Sequence, residues 1–490
     1  MGYFDLEEDW LTFEIMGKTI GRIQWTIVAL LWIYIVYRAV FFAITEDEAY
    51  SYFLLKTNYW RALPGTANTH WLNTFFMRLF MWLPGADRPY KLRILSVCSW
   101  WVYAAAVIKL SDLFKNKWIG MAFFAAAILN PFLLLYFSLS RGYSTACAFA
   151  MLSLWQSALV IQKGEWRPAG WVPVFISASV AVLANFSFFY FFIGVTAAYL
   201  FHLFLRGDLR WLRERSARRW LILTGGTFLF AIGCLLFIKF RSKELEFVEY
   251  PDLVRSSFGS LVKESLWYDA SSAPAMWMGA LIFISLIFFS LISFYLYFRS
   301  GKITNSIFSL NVLVVIILSE VVFNMLFKTS FLYGRKALVI YVTLLPGVFG
   351  MMDKGSLKMF DGSRVVRVVM GLMIVVLCFN FYKRFNTKYF YELPIQADTE
   401  KCLDYLVHSN ARNVGLGFYQ RDVFVFYYSE AYPGRYGFRY QLVTESDLKN
   451  DPRFDHLLLS VPSDGKTGDL SRWRTELYYP ATGAMVLGKK

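Results

Sequence analysis

The sequence predicts a mainly α protein: a polytopic transmembrane bundle of about eleven helices, with interfacial helices in its first outer loop and a small C-terminal extracytoplasmic α/β domain. Three observations carry that prediction. Hydrophobic residues make up 57% of the chain and aromatic ones 19%, more apolar material than the core of a soluble fold can bury. Several runs of about 18–22 residues hold few charges and are long enough to cross roughly 30 Å of hydrocarbon. The surplus positive charge, +15 in all, gathers in short loops between those runs, so it reports membrane orientation and does not point to nucleic acid.

The spans fall near 24–44, 94–111, 118–137, 143–161, 169–185, 187–205, 220–240, 276–298, 306–327, 337–352 and 365–382. The densest basic loop holds Arg206, Arg210, Arg213, Arg215, Arg218 and Arg219, which places it in the cytoplasm against anionic headgroups. Alternation then puts the loops with Lys115 and Lys117, Lys163 and Arg167, Arg299 and Lys302, and Lys354 to Arg367 on the same side. It makes 1–23 a cytoplasmic N-terminal segment, 24–382 the membrane domain and 383–490 an extracytoplasmic domain. The acidic, polar start lacks the features of a cleaved signal peptide, so the first span is expected to remain as an anchor. Within the last domain Ala397 to Leu406 suits a helix, and Asn413 to Phe418 and His456 to Val461 suit strands.

The first outer loop, Thr45 to Arg93, is no simple linker. His70 to Leu83 mixes Trp, Leu, Phe and Met yet is too short to span, and it reads as a helix lying in the interface; Ala49 to Trp60 reads the same way. Ahead of them stand three consecutive acids at the membrane mouth, Glu46, Asp47 and Glu48. A carboxylate there can act as a base whose proton affinity is raised by like-charged neighbours and partial desolvation, or the run is a solvated loop that ends the first span. Arg141, and Arg335 with Lys336, lie at later outer turns. They either bind phosphate through their fixed donors or snorkel to headgroups. Arg38 and Glu320 sit inside apolar spans toward the outer half and require partners, each other or a ligand. His70, Asn324 and Lys328 lie near the same face, and Lys109 and His202 read as anchors at the inner ends. Phosphate loops, dinucleotide fingerprints, zinc-protease motifs and serine-hydrolase elbows are missing from the sequence, and the five cysteines show no metal or redox spacing.

Taken in order, these motifs resemble a family. Thr45-Glu46-Asp47-Glu48-Ala49-Tyr50 is similar to the acidic motif in the first outer loop of the GT-C glycosyltransferases, especially the branch of the protein O-mannosyltransferases and the lipid A aminoarabinose transferase. Asn68 to Asn73 looks like that branch's His-Pro-Leu-type segment, with Trp71 where Pro is common. Ser140-Arg141-Gly142-Tyr143-Ser144 and Gly334-Arg335 resemble further recurrent patches, so the likeness spans roughly residues 24–382. It implies inverting transfer of a sugar from a polyprenyl-phosphate donor to a hydroxyl on a glycan, lipid or protein, at the outer face of a bacterial cytoplasmic membrane. Asp47 would be the base and Glu48 its neighbour or substitute. Arg141 and Arg335 would hold the departing phosphate, with His70, Tyr143, Tyr333 and Lys336 around the substrate. Some members need a divalent cation; the resemblance names no metal ligand here. A transporter or flippase for lipid-linked glycans accounts for the same spans and buried charges, though no inverted repeat accompanies them. A scaffold with an outer binding domain leaves the charged motifs unexplained.

Overall fold

The computed structural model describes residues 5–62, 70–84, 88–206, 215–242, 252–266, 272–301, 303–353, 364–390, 396–417, 421–443, 453–460, 472–480 and 482–490. The expectations for Asn68, Thr69, Arg210, Arg213, Lys302, 354–363, Phe418 and Val461 lie outside them. Each of the eleven anticipated spans coincides with helix. They are α1 (Asp5–Phe41), α4 (Pro89–Asp112), the pair α5 (Lys117–Ile128) and α6 (Pro131–Phe137), α7 (Tyr143–Lys163), α8 (Pro168–Ala184), α9 (Phe189–Leu205), α10 (Arg215–Ser242), α12 (Ser272–Ser300), α13 (Asn305–Phe327), α14 (Leu338–Asp353) and α15 (Arg364–Arg384). Among the described residues eight helices are long and apolar enough to cross a membrane, or nine with the α5–α6 pair as one span; α8 and α10 occupy the other two places. The chain is an integral membrane protein.

Where one straight span over 118–137 is expected, the structure has two helices bent by 56°. Pro131 has no N–H to continue the helix, and the Asn130 side chain accepts from Phe132 N and Leu133 N to start a new one. The bundle core is aromatic, with Trp100, Tyr103, Phe137, Trp171 and Tyr199 all buried. His202, expected as an interface anchor, is also fully buried. It bonds Asn311 and packs on Trp166, because α9 turns that face toward α13. Arg38 and Glu320 find different surroundings. Arg38 lies among Tyr34, Phe42 and Phe390, whereas Glu320 accepts from Ser257 and from Leu332 N.

Outside the spans, α2 (Glu46–Ala62) and α3 (Trp71–Met81) form the first loop. Helix α3 buries Asn73, Thr74 and Met77 and exposes Phe75 and Leu79, followed by Trp82, as a helix lying along lipid requires. After α13 the chain folds back and makes a short 3-10 turn at Gly334–Ala337. Before α12, a π-helical turn at Val254–Gly259 runs into α11 (Ser260–Leu266), and both are mostly buried.

The C-terminal region forms a five-stranded sheet in the order β2-β1-β3-β5-β4, covered by α16 (Thr399–His408). Strands β1 (Asn413–Leu416), β2 (Arg439–Leu442) and β3 (His456–Ser460) are parallel; β5 (Ala484–Lys489) runs antiparallel to both β3 and β4 (Trp473–Tyr478). Its inner side shares one apolar cluster with α2, in which Ala49, Tyr52 and Leu55 meet Leu403, Val423, Phe424 and Tyr427.

Close packing inside the bundle rests on small residues. A Cβ added to Gly194 of α9 would come within 2.7 Å of the Val312 carbonyl of α13. Gly194→Leu is therefore expected to push these helices apart at a cost of about 1–3 kcal/mol, read as a lower melting temperature of the detergent-solubilised protein. An unchanged melting temperature would mean the two helices are not held this closely.

Candidate active site

The site begins where α1 ends. Residues 42–45 turn the chain, and α2 starts with three acids whose negative charge suits a helix N-terminus. Successive helical side chains point about 100° apart, so the three acids meet three different environments.

Glu48 turns inward. Its Oε2 accepts from Thr45 N and Thr45 Oγ1, one half of a capping box, and from Arg93 Nη2 at 2.6 Å. Its Oε1 accepts from Arg93 Nε at 2.9 Å and Ser140 N at 2.7 Å. Both Glu48 and Arg93 have no exposed surface. The expectation that Glu48 can substitute for Asp47 meets a fully buried side chain whose two oxygens accept five hydrogen bonds; Glu48 is the sequence neighbour of Asp47 and faces the other way. It is a positioning residue, and its partner Arg93 was not recognised in the sequence.

Asp47 turns the other way, partly exposed, and pairs with Arg141 and with Arg335, whose Nη1 lies 3.4 Å from Oδ2. Arg141 is carried by the turn between α6 and α7, which Ser140 N anchors to Glu48. The next residue, Gly142, has φ +70°, and a Cβ there would fall 2.2 Å from the Ala184 carbonyl, so only glycine fits. Tyr143 is buried beside it, edge-on to the His70 ring at 5.5 Å, with the Arg335 guanidinium 6.0 Å from the Tyr143 ring centre. Asp47, His70, Arg141, Tyr143 and Arg335 thus meet at one place, although they lie in segments up to 288 residues apart. Tyr333 is half-buried at the N-terminal side of the 3-10 turn. Lys336 is exposed and forms no ion pair with Asp47, because the turn aims consecutive side chains in different directions.

Glu46 faces the C-terminal domain, where its backbone N donates to Gln396 Oε1 at 2.8 Å. Burial and the neighbouring Asp422 raise its carboxyl above the ordinary range, while Arg141 and Gln396 pull the other way. Burial, helped by Arg335, lowers the His70 imidazole to about 3, so it is neutral at physiological pH. His70 Nε2 is buried without a hydrogen-bond partner. Among the described residues no three His, Cys, Asp or Glu side chains group to hold a metal ion. Asp47 is paired with two guanidinium groups and Glu48 with Arg93.

The fold has counterparts among solved structures. The solved structures it is similar to include ArnT from Cupriavidus metallidurans in the apo state, with a TM-score of 0.53 at 12% identity over 97% of this chain and 98% of that one. ArnT from the same organism bound to undecaprenyl phosphate gives 0.50 at 11% identity, over 94% and 97%. No family model matches the chain, and no curated protein matches it in sequence.

Two outcomes follow. Removing one partner of a buried ion pair strands the other charge, so Glu48→Ala is expected to cost about 3–5 kcal/mol, visible as loss of folded protein on size-exclusion chromatography; a normal elution profile and melting temperature would refute the clamp. For His70 the unfolded chain binds a proton below about 6.5 and the folded one only near 3. Its stabilising contribution is therefore complete above about 6.5 and is lost as the pH falls through that window. The melting temperature should fall less between neutral pH and about pH 4.5 in His70→Phe than in the wild type.

Proposed function

We propose that the chain is a glycosyltransferase that moves a sugar from a polyprenyl-phosphate donor to a hydroxyl acceptor at the outer face of the membrane, with inversion. The observation that carries this reading is the meeting of one carboxylate, Asp47, with two guanidinium groups, Arg141 and Arg335, at the ends of membrane helices. In this reading Asp47 takes the proton of the acceptor hydroxyl as its oxygen bonds the sugar's anomeric carbon. The bond from that carbon to the phosphate oxygen breaks on the opposite face, and its electron pair leaves with the phosphate. Each guanidinium has five donors, so Arg141 and Arg335 can bind phosphate oxygens. A guanidinium that turns toward phosphate ties Asp47 less and leaves it more basic. Neutral His70, with its unpartnered Nε2, offers a hydrogen bond without adding charge.

A lipid donor also needs an apolar berth. Helices α5, α11, α12, α14 and α15 enclose a cavity of about 390 Å³, lined by Phe258, Leu261, Val262, Leu344, Met373 and others. Its wall reaches the site, because Ser260, next to Leu261, accepts from Gly334 N at 2.8 Å, one residue from Arg335. The ArnT structure that holds undecaprenyl phosphate supports the same donor class. In this reading the C-terminal domain lies on the outer side of a bacterial cytoplasmic membrane, an orientation that the loop charges support.

The test is transfer by purified protein in detergent, where no gradient exists and transport cannot mimic product. Asp47→Asn should lower kcat about 10²–10⁴-fold while the protein still elutes as folded material, with a lower melting temperature because Arg141 and Arg335 lose their counter-charge. Retained transfer would remove Asp47 as the base; failure of the wild type to form any product from polyprenyl-phosphate sugars would remove the reading.

A further inference from the structure

Glu320 is a carboxylate with 1% of its surface exposed, on a membrane helix, and the mechanism above gives it no task. Its Oε1 accepts from Ser257 Oγ and from Leu332 N, both at 2.6 Å, while Oε2 is buried with no partner. A charge-bearing group at membrane depth is expensive and is kept where it serves a ligand or a geometry. What Glu320 holds is the segment that returns from the end of α13. That segment leaves the helix through Lys328, whose φ is +55°, and is tied at three points. Asn324 Nδ2 donates to the Thr329 carbonyl at 2.6 Å, Leu332 N donates to Glu320, and Gly334 N donates to Ser260 Oγ. Two of the three ties lead to the buried Ser257–Ser260 face, and the next residue along is Arg335.

We propose that Glu320, with Ser257 and Ser260, is a positioning clamp that sets the Arg335 guanidinium where a donor phosphate must lie. The proposal rests on the donor class argued above. Arg335 is a third exposed and carried by a turn of four residues. Its side chain reaches Asp47 at 3.4 Å. The clamp fixes the backbone on which it stands. A site residue misplaced by about 1 Å loses much of its effect, so positioning belongs to the clamp and contact to the arginine. The same clamp face backs onto the apolar cavity through Phe258 and Leu261, so the depth of the lipid berth and the height of the phosphate-binding arginine are set by one element.

The experiment measures binding of a polyprenyl monophosphate, and separately of the matching polyprenol without phosphate, to the full-length protein in detergent. Glu320→Leu keeps bulk and removes the acceptor; it should weaken the phosphate-bearing lipid about ten- to hundredfold and the polyprenol less than about twofold. Glu320→Gln keeps a carbonyl oxygen for both donors and should stay within about threefold of the wild type. In an Arg335→Ala background Glu320→Leu should add less than about twofold, since a clamp acting through Arg335 has nothing left to place. Ser260→Ala is the milder variant should Glu320→Leu not fold, with a phosphate-selective loss of the same sign. Equal losses for both lipids, full additivity with Arg335→Ala, or wild-type affinity in Glu320→Leu and Ser260→Ala would overturn the clamp alone. Failure of the wild type to bind the polyprenyl phosphate would overturn the donor assignment, and the clamp with it.

Discussion

The geometry of the candidate site depends on one ion pair that faces neither water nor substrate. Arg93 spends all five of its donors inside the protein. Nε and one Nη2 bond go to Glu48, and the remainder go to the carbonyls of Ala39, Phe42 and Ala43 at the end of α1. Helix ends leave carbonyls and N–H groups without intrahelical partners. Here a single guanidinium closes the last turn of the first membrane helix, and its carboxylate partner opens the first turn of the next helix. Burying two charges is costly, and such pairs are weak evidence for net stability. What this pair supplies is direction: with Glu48 locked inward, Asp47 has to point outward.

Parity explains why the other participants arrive at the same place. The turns after the first, third and ninth spans carry Asp47, Arg141 and Arg335, and the end of the fifth supplies the Ala184 carbonyl that packs on Gly142. In an alternating bundle the ends of odd-numbered spans share one face, so residues far apart in sequence become neighbours without long excursions of chain. Ser140 N, bonded to Glu48, then joins the Arg141 turn to the Asp47 turn. Two of the three charged turns are thus referred to a common buried carboxylate, and the third is carried by the return from α13.

How much of this could be read from the sequence follows from the range of the forces involved. Apolar runs are local, so every span coincided with helix, and charges at the ends of apolar runs marked Asp47, Arg141 and Arg335 as candidates. The division of labour between Asp47 and Glu48 was hidden, because it depends on which side of α2 meets Arg93, 45 residues away. Thr45-x-x-Glu48 did carry a signal, the spacing of a capping box, that would have turned Glu48 inward. The Asn130-Pro131 dipeptide likewise announces the break in the third span. No such signal marks 254–266, whose serines and charges suit a loop and which packs on α12 and bonds α13 through Ser257 and Glu320. In the C-terminal domain the apolar cores of β1 and β3 stood out, whereas β2 exposes all four of its residues and β4 alternates weakly, so neither rises above the loops around it.

The C-terminal domain reaches the candidate site through the backbone at the start of α2. Ile44 N donates to the Tyr427 hydroxyl at 3.1 Å and Glu46 N to Gln396. Both donors sit where the chain enters α2, where no intrahelical carbonyl can take them. The membrane bundle satisfies one side of this turn through Arg93, Glu48 and Ser140, and the C-terminal domain satisfies the other, with Tyr52 bonding Glu430 at 2.9 Å further along the helix. An orphaned N–H in a buried turn costs about 1–3 kcal/mol. The turn that carries Asp47 is therefore held from both domains.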